Sequence, residues 1–211
     1  MSGTGGRSLR SRRMEEKLLA AAGEAGLEPP DLELLGRAHK LAMEPRERGL
    51  PSDHDPAFLH PARTVLILLG DMEERGVGVL VVGALAESRS PELRVPPERA
   101  EALLREAGPE AWGWWRALPE PGWRDAEAET ADLIEILVSV SEPVRRVALA
   151  EALDHLRHAH RWEDPADRAR AARLARRVFG PLAARVHPTL ERRLSWWNER
   201  VGSTLEGERA G

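Results

Sequence analysis

The chain has 211 residues, and its 31 Lys and Arg against 35 Asp and Glu give a net charge of -4. A chain of this length is expected to form one domain with a core large enough to fold without disulfides. It contains no cysteine, which excludes disulfides, thiolate catalysis and zinc sites built from cysteine. The weak negative balance argues against a dedicated nucleic-acid-binding protein. No apolar stretch is long enough for a membrane span and the N-terminus lacks the apolar core of a secretory signal, so we expect a cytoplasmic protein without membrane contact.

The N-terminal part of the chain is expected to become ordered where apolar residues first recur at helical spacing. Residues 1–13 are polar, charged and rich in glycine, which is typical of disorder. A short helix is predicted over residues 14–25. A second helix opens at a Pro-Pro-Asp sequence with Asp31 as its N-cap, and residues 44–56, rich in Pro, Gly and Asp, predict a loop after it.

Two apolar segments follow this loop. Pro61 favours a helix start, because its missing N–H has no partner at that position in any case, and the helix is expected to reach about Leu69. Residues 77–87 are almost wholly apolar, and their valines and glycines locally favour a strand. No second convincing strand accompanies this segment, and an isolated strand is unstable. We therefore predict a buried helix.

The remaining chain alternates helical patterns with proline-rich breaks. Residues 109–123 are rich in Trp and predict an irregular hydrophobic plug in preference to a base-stacking or partner surface. In the adjacent pair Trp196-Trp197 one side chain must be partly exposed, since neighbouring helical residues point about 100° apart; this hints at a protein contact. Helices are predicted over residues 97–107, 126–141, 143–162, 165–179 and 188–201, with Leu133, Ile134, Leu137 and Val138 of the second one facing inward.

The fold class predicted from these patterns is all-α. The domain is expected to contain about eight helices over residues 14–201. Disordered ends are expected at residues 1–13 and 202–211.

Segments far apart in the sequence resemble the HD-domain module of RelA/SpoT-type alarmone hydrolases. They are Ala38-His39-Lys40-Leu41-Ala42, Phe58-Leu59-His60-Pro61, Val81-Val82-Gly83-Ala84-Leu85-Ala86-Glu87-Ser88 and Leu149-Ala150-Glu151-Ala152-Leu153-Asp154-His155-Leu156-Arg157. In that family a His-Pro pair opens a helix, and the His is a metal ligand. A buried helix then ends in the His-Asp pair that names the family, and a later helix supplies a ligating Asp and nucleotide contacts. The order and spacing fit over residues 35–162, which implies an HD-like helical bundle.

The resemblance assigns roles by position. His60 takes the place of the first metal ligand, and Glu151 takes that of the late ligating Asp. Glu87 takes the place of the Glu in an acidic pair that follows the His-Asp motif, so Glu87 and Glu151 are the candidate catalytic residues. The candidate ligand-binding residues are Arg63, Asp154, His155 and Arg157.

The departures from the family pattern decide the predicted function. The His-Asp pair falls at Gly83 and Ala84, and neither side chain can bind a metal. One imidazole from His60 and one carboxylate from Glu151 would leave most of the coordination of a divalent cation to water, which gives a weak site. We therefore predict a degenerate site without a cofactor, in a non-catalytic protein that binds a nucleotide-like small molecule or a protein partner.

Two other functions stay open at this point. A phosphohydrolase acting on a (p)ppGpp-like or other nucleotide requires Mn or another divalent metal at a rearranged site around His60, Glu87 and Glu151. A structural helical interaction protein requires no site. Both leave homo-oligomerisation open.

The late helix offers a further arrangement. Glu151 lies four residues before His155, and Asp154 lies four before His158, so each pair shares one helix face. This spacing predicts either a rebuilt metal or acid–base site or ordinary salt bridges on a solvated face.

Overall fold

The computed structural model describes residues 8–50, 52–119 and 130–207, and these residues form helices and connecting turns without a strand. The prediction of an all-α fold is therefore confirmed. The helices are α1 (Leu9–Glu24), α2 (Pro29–Gly49), α3 (His60–Asp71), α4 (Val77–Leu85), α5 (Pro97–Ala107), α6 (Ala111–Ala117), α7 (Thr130–Ser139), α8 (Glu142–His158), α9 (Pro165–Leu174), α10 (Gly180–Ala183), α11 (Pro188–Trp197) and α12 (Ser203–Gly207). No helix among these is both long and apolar enough to cross a membrane.

Helix α4 is the centre of the bundle. Every residue from Gly78 to Leu85 is buried, and the helix contacts α2, α3, α5, α6 and α8. Because neighbours surround it on all sides, α4 carries apolar residues around its whole circumference, and a helix without a polar face is the expected result. The prediction of a buried helix in this segment is confirmed.

Helices α3 and α4 approach each other closely at Gly83. A Cβ atom on this glycine would lie 2.6 Å from Cδ1 of Leu68 and 3.7 Å from Cγ2 of Thr64. A larger residue at this position would force the buried Leu68 side chain to shift, since protein interiors are filled to crystal-like density. The same contact places the start of α3 beside the end of α4.

The bundle brings three distant parts of the chain to one end. Helix α3 packs along α8 as well as α4. The 3₁₀ turn Ala86–Arg89 continues directly from α4. The first turn of α3, this 3₁₀ turn and the last two turns of α8 therefore meet, and they carry most of the polar residues that the sequence marks as candidates.

The C-terminal part consists of two interrupted helices. A π-helical segment, Ala175–Phe179, joins α9 to α10, and a second one, Asn198–Gly202, joins α11 to α12. The side-chain amide of Asn198 donates to the carbonyl of Ala175 at 3.4 Å, which links the two segments. Pro181 follows the first π-helical segment and lies in the first turn of α10, where a missing N–H is tolerated.

The tryptophans follow the expected division between buried and exposed positions. Trp197 is 3% exposed and Trp196 is 59% exposed, which confirms that the two do not both face inward. Trp115 is buried, and its indole N–H donates to the carbonyl of Leu85 at 2.8 Å. It lies on α6, however, so the segment predicted as irregular contains a helix. Residues 120–129, including Trp123, lie outside the described residues.

The loop predicted over residues 44–56 is wrong in its first part. Helix α2 continues to Gly49 with Pro45 inside it. The local cost of an internal proline is overcome by tertiary contacts, since Arg46 is fully buried and hydrogen-bonded on the next position. Asp31 is not the N-cap: α2 begins at Pro29, and Asp31 lies in its first turn, where its charge favours the helix dipole.

The predicted helix limits and faces also need correction. Residues 9–13 belong to α1, whose N-cap is Ser8, and residues 202–207 are helical, with Leu205 buried. These ends are ordered because each helix packs on a neighbour, α1 on α2 and α12 on α9. In α7, Leu133 and Leu137 are buried as predicted, but Ile134 and Val138 are exposed; among the described elements, α7 packs mainly on α8 and on the π-helical segment Ala175–Phe179.

Candidate functional site

His60 is held at the first position of α3 by partners on both ring nitrogens. Its Nδ1 lies 2.8 Å from Oδ2 of Asp154, and its Nε2 lies 3.2 Å from Oγ1 of Thr64. The same Nε2 lies 3.7 Å from a carboxylate oxygen of Glu87 and 3.7 Å from one of Glu151. Burial disfavours the imidazolium, but these carboxylates outweigh it and raise the pKa of His60 to about 9.

Asp154 joins α8 to α3. Arg63 donates to it with two nitrogens, from Nε to Oδ1 at 2.7 Å and from Nη2 to Oδ2 at 2.8 Å, and also donates to the carbonyl of Pro56. Burial of Asp154 opposes its ionisation, yet the hydrogen bonds from His60 and Arg63 hold the pKa of this carboxyl well below its usual range. The bidentate geometry is the strong form of an Arg–carboxylate pair.

Glu87 connects the end of α4 to two other helices. One oxygen accepts from Nη2 of Arg46 at 2.9 Å, and the other lies 2.8 Å from Nε2 of His155. Arg46 is completely buried and also donates to the carbonyls of Ala42 at 2.8 Å and Ala57 at 3.1 Å. Burial lowers the pKa of Arg46, and the nearby Glu87 carboxylate acts in the opposite direction.

These residues form a cluster, which we name the buried charge cluster. It contains three carboxylates and, with His60 protonated, three cations, so its formal charges cancel. Such compensation is what allows ionised groups to remain inside a protein. The members are Arg46, His60, Arg63, Glu87, Glu151 and Asp154.

A cleft of about 400 Å³ opens beside the buried charge cluster. Part of its wall comes from the cluster itself, and part comes from the loop before α3 and the 3₁₀ turn after α8. Its volume is in the range of small-molecule sites. The lining residues are Asp55, Pro56, Ala57, His60, Arg63, Asp154, His155, His158, Arg161 and Trp162.

Three of these residues, His158, Arg161 and Trp162, stand at the end of α8 and in the turn that follows it, and we name them the cleft rim. Arg161 is exposed, whereas His158 and Trp162 are half-buried. Nδ1 of His158 lies 2.8 Å from the main-chain oxygen of Asp154, and burial lowers the pKa of its imidazole. The rim therefore offers a cation, an imidazole and an aromatic ring to the cleft.

One group of side chains has the composition of a metal site. Potential ligand atoms of His60, Glu87 and His155 lie within 4.8 Å of one another, and the rings of His60 and His155 are 4.4 Å apart. Two imidazoles and a carboxylate suit Zn²⁺ and other first-row divalent ions. The fit is partial, because both oxygens of Glu87 already pair with Arg46 and His155.

The structure brings together six of the seven residues selected from the sequence: His60, Arg63, Glu87, Glu151, Asp154 and His155. It does not bring in Arg157, whose guanidinium donates to Asp71 at 3.0 Å and which does not line the cleft. Gly83 and Ala84, which the resemblance aligned with a His-Asp pair, are buried in α4, and Gly83 lies in the α3–α4 contact beside Leu68.

Sequence reasoning missed Arg46, Arg161 and Trp162. Arg46 lay in a segment predicted to be a loop, and a charged residue there gives no sign that it is buried. Arg161 and Trp162 lay inside the helix predicted over residues 143–162, whereas α8 ends at His158 and a 3₁₀ turn follows it. Their proximity to His60 arises only from the packing of α3 on α8.

Comparison of the chain with protein-family models, curated proteins and solved structures finds no match.

Proposed function

We propose that the protein binds a phosphate-bearing, nucleotide-like ligand in the cleft and does not hydrolyse it. The observation that carries this proposal is the combination of a charge-compensated cluster inside the cleft with a rim that bears a cation and an aromatic ring. On this proposal the helices form an HD-like bundle whose ancestral centre has become a binding site. The resemblance at His60-Pro61 and in α8 supports that part of the proposal.

The cleft rim supplies groups that recognise the two halves of a nucleotide. The guanidinium of Arg161 suits phosphate oxygens, which accept two parallel hydrogen bonds from such a group. The indole of Trp162 offers a face on which a base can stack, a contact worth about 1–3 kcal/mol per base. The volume of about 400 Å³ accommodates a ligand of this size.

The buried charge cluster supports binding without hydrolysis. Its carboxylates are engaged with Arg46, Arg63 and the imidazole of His60, so recruiting them for a metal would require breaking favourable ion pairs. At the family's His-Asp positions, Gly83 and Ala84 offer no ligand atoms.

The test is isothermal titration calorimetry with inorganic phosphate, pyrophosphate, ADP and GDP. We expect the nucleotides to bind more tightly than pyrophosphate, and pyrophosphate more tightly than phosphate. Arg161→Gln is expected to weaken pyrophosphate binding about tenfold or more, since a charge-assisted hydrogen bond contributes about 1.5–3 kcal/mol. Trp162→Ala is expected to weaken nucleotide binding and leave pyrophosphate binding nearly unchanged.

Arg157→Gln is the matched control for Arg161→Gln. Both residues lie near the end of α8, but Arg157 pairs with Asp71 and does not line the cleft. Its replacement should leave all four affinities unchanged. Absence of binding by all four probes would remove the proposal and favour a structural helical interaction protein.

A metal-dependent phosphohydrolase is the second candidate, and the proximity of His60, Glu87 and His155 favours it. These residues, with Glu151 beside them, would hold a divalent ion. Such an ion would supply the nucleophile for hydrolysis by lowering the pKa of a bound water. Arg46 would then orient Glu87 through its hydrogen bond to the carboxylate, as outer partners of metal ligands commonly do.

Metal analysis separates the two candidates. Purified protein is dialysed against Mn²⁺ or Zn²⁺, and its bound metal is measured by mass spectrometry. We expect less than stoichiometric metal and no release of phosphate from the nucleotides. Stoichiometric metal that is lost in both His60→Ala and His155→Ala, together with phosphate release, would establish the hydrolase instead.

A further inference from the structure

His158 lines the cleft with a fixed orientation of its ring. Its Nδ1 lies 2.8 Å from the main-chain oxygen of Asp154. A carbonyl oxygen only accepts hydrogen bonds, so Nδ1 must carry the proton in the neutral ring. Nε2, on the opposite edge, is then the nitrogen that gains or loses a proton.

This arrangement gives His158 opposite properties in its two protonation states. In the neutral ring, Nε2 presents a lone pair, which repels the oxygens of an anion. In the imidazolium, Nε2 presents an N–H, which donates to such an oxygen and adds a positive charge. An anion can therefore gain a contact with His158 only if the ring takes up a proton.

The surroundings of His158 favour the neutral ring when no ligand is bound. Burial lowers its pKa, and the cations of Arg63 and Arg161 lower it further, while Asp154 acts in the opposite direction. An anion between these cations would screen their repulsion and favour the imidazolium. The other titratable residues of the cleft are Asp55, His60 and His155.

We propose that His158 is a ligand-contacting residue and that it makes anion binding in the cleft proton-linked, so that each complex forms with uptake of a proton at Nε2. This inference rests on the proposed function and adds to it a specific contact and a pH dependence. Affinity then rises as pH falls, by up to about tenfold per pH unit between the pKa of the free ring and that of the bound ring.

The experiment is calorimetric titration of the full chain with pyrophosphate in two buffers of different ionisation enthalpy, from pH 6 to pH 8. The proteins are the wild type, His158→Gln and His160→Gln. Glutamine places an amide near the position of Nε2 but does not titrate. His160 is exposed and does not line the cleft, so it controls for loss of a nearby histidine. Pyrophosphate itself takes up protons in this range, and its contribution is common to all three proteins.

We expect wild type and His160→Gln to take up the same number of protons. His158→Gln should take up fewer, by as much as about one per complex, with a correspondingly flatter pH profile. Equal proton uptake by wild type and His158→Gln would overturn the inference while leaving the proposed function intact. Failure of wild type to bind pyrophosphate or any nucleotide would overturn both.

A second measurement decides the matter if His158→Gln does not bind. The ¹⁵N shifts of the His158 ring are followed against pH with and without pyrophosphate. The inference requires Nε2 to become protonated at higher pH in the complex than in the free protein. An unchanged or lowered midpoint would refute it.

Discussion

The buried charge cluster and the cleft rim adjoin each other, since Asp154 of the cluster and His158 of the rim are about one turn apart on α8, yet the two groups have opposite physical characters. In the cluster, every carboxylate has a cationic partner, and Arg46, His60 and Asp154 are almost completely buried. In the rim, Arg161 is exposed and Trp162 is half-buried. Removing one partner of a buried ion pair destabilises a protein strongly, because it leaves an uncompensated buried charge. Exposed groups contribute little to folding and are free to bind a ligand. The comparison therefore assigns stability to the cluster and recognition to the rim.

Among the variants, Asp154→Asn should lower the free energy of unfolding most, because it removes a member of the buried charge cluster. It leaves Arg63 and His60 without their shared carboxylate in a buried site, and loss of one partner of such a pair costs about 3–5 kcal/mol. Urea denaturation measures the change in free energy of unfolding. Arg157→Gln, which breaks a partly exposed pair with Asp71, should cost about 1 kcal/mol or less. Similar losses for the two variants would contradict the assignment.

The pH dependence of stability tests the charge state of the cluster. The folded pKa of His60 is raised to about 9 from 6.5, so the ring binds its proton more tightly in the folded state than in the unfolded state. Its contribution is therefore fully present below about pH 6.5 and is lost as pH rises toward 9. Urea denaturation of metal-free protein between pH 6 and pH 9.5 should show this decline, and His60→Gln should lack it. A wild-type profile that is flat over this range would count against the imidazolium.

Gly83→Ala tests the packing behind the cluster. The added Cβ would lie 2.6 Å from Cδ1 of Leu68, and overpacking of this kind costs about 1–3 kcal/mol. Gly70→Ala is the control with the opposite sign. Its Cβ meets nothing within 4 Å, so replacing a helical glycine should stabilise by about 0.4–1 kcal/mol. Thermal unfolding measures both, and a stabilising Gly83→Ala would show that the α3–α4 contact is loose enough to admit a side chain.

Arg161→Gln, a substitution in the cleft rim, should change the free energy of unfolding least. Substitutions of exposed residues usually change the free energy of unfolding by no more than about 0.5 kcal/mol. We expect such a small change beside the loss of pyrophosphate affinity described above. A large destabilisation would mean that Arg161 belongs functionally with the cluster.

The candidate site was predictable from sequence to the extent that its residues lie on regular helices. The family resemblance selected His60 and Arg63. Helical spacing on the later helix paired Glu151 with His155 and Asp154 with His158. Arg157 satisfies the same kind of pattern, but the structure turns it toward Asp71. Spacing alone does not say which neighbouring helix a side chain meets.

Arg46 illustrates the opposite limit. Its sequence neighbourhood of Pro, Glu and Arg favours an exposed loop, whereas it is a buried residue of α2 that reaches Glu87. The gain from pairing with Glu87 and two carbonyls arises only after α2 and α4 have packed. The residues next to Arg46 in the sequence therefore give no sign of this stabilisation.

The sequence by itself determined the all-α class, the buried character of α4 and the division between Trp196 and Trp197. These follow from apolar periodicity and from the geometry of a single helix, both of which are local properties. Only the tertiary structure decided that Glu87 and His155 lie close to His60 and that Leu68 packs against Gly83. It also decided that the cleft rim of His158, Arg161 and Trp162 lies beside the buried charge cluster. Those relations depend on residues that are distant in the sequence, and the packing of α3 against α4 and α8 is what brings them together.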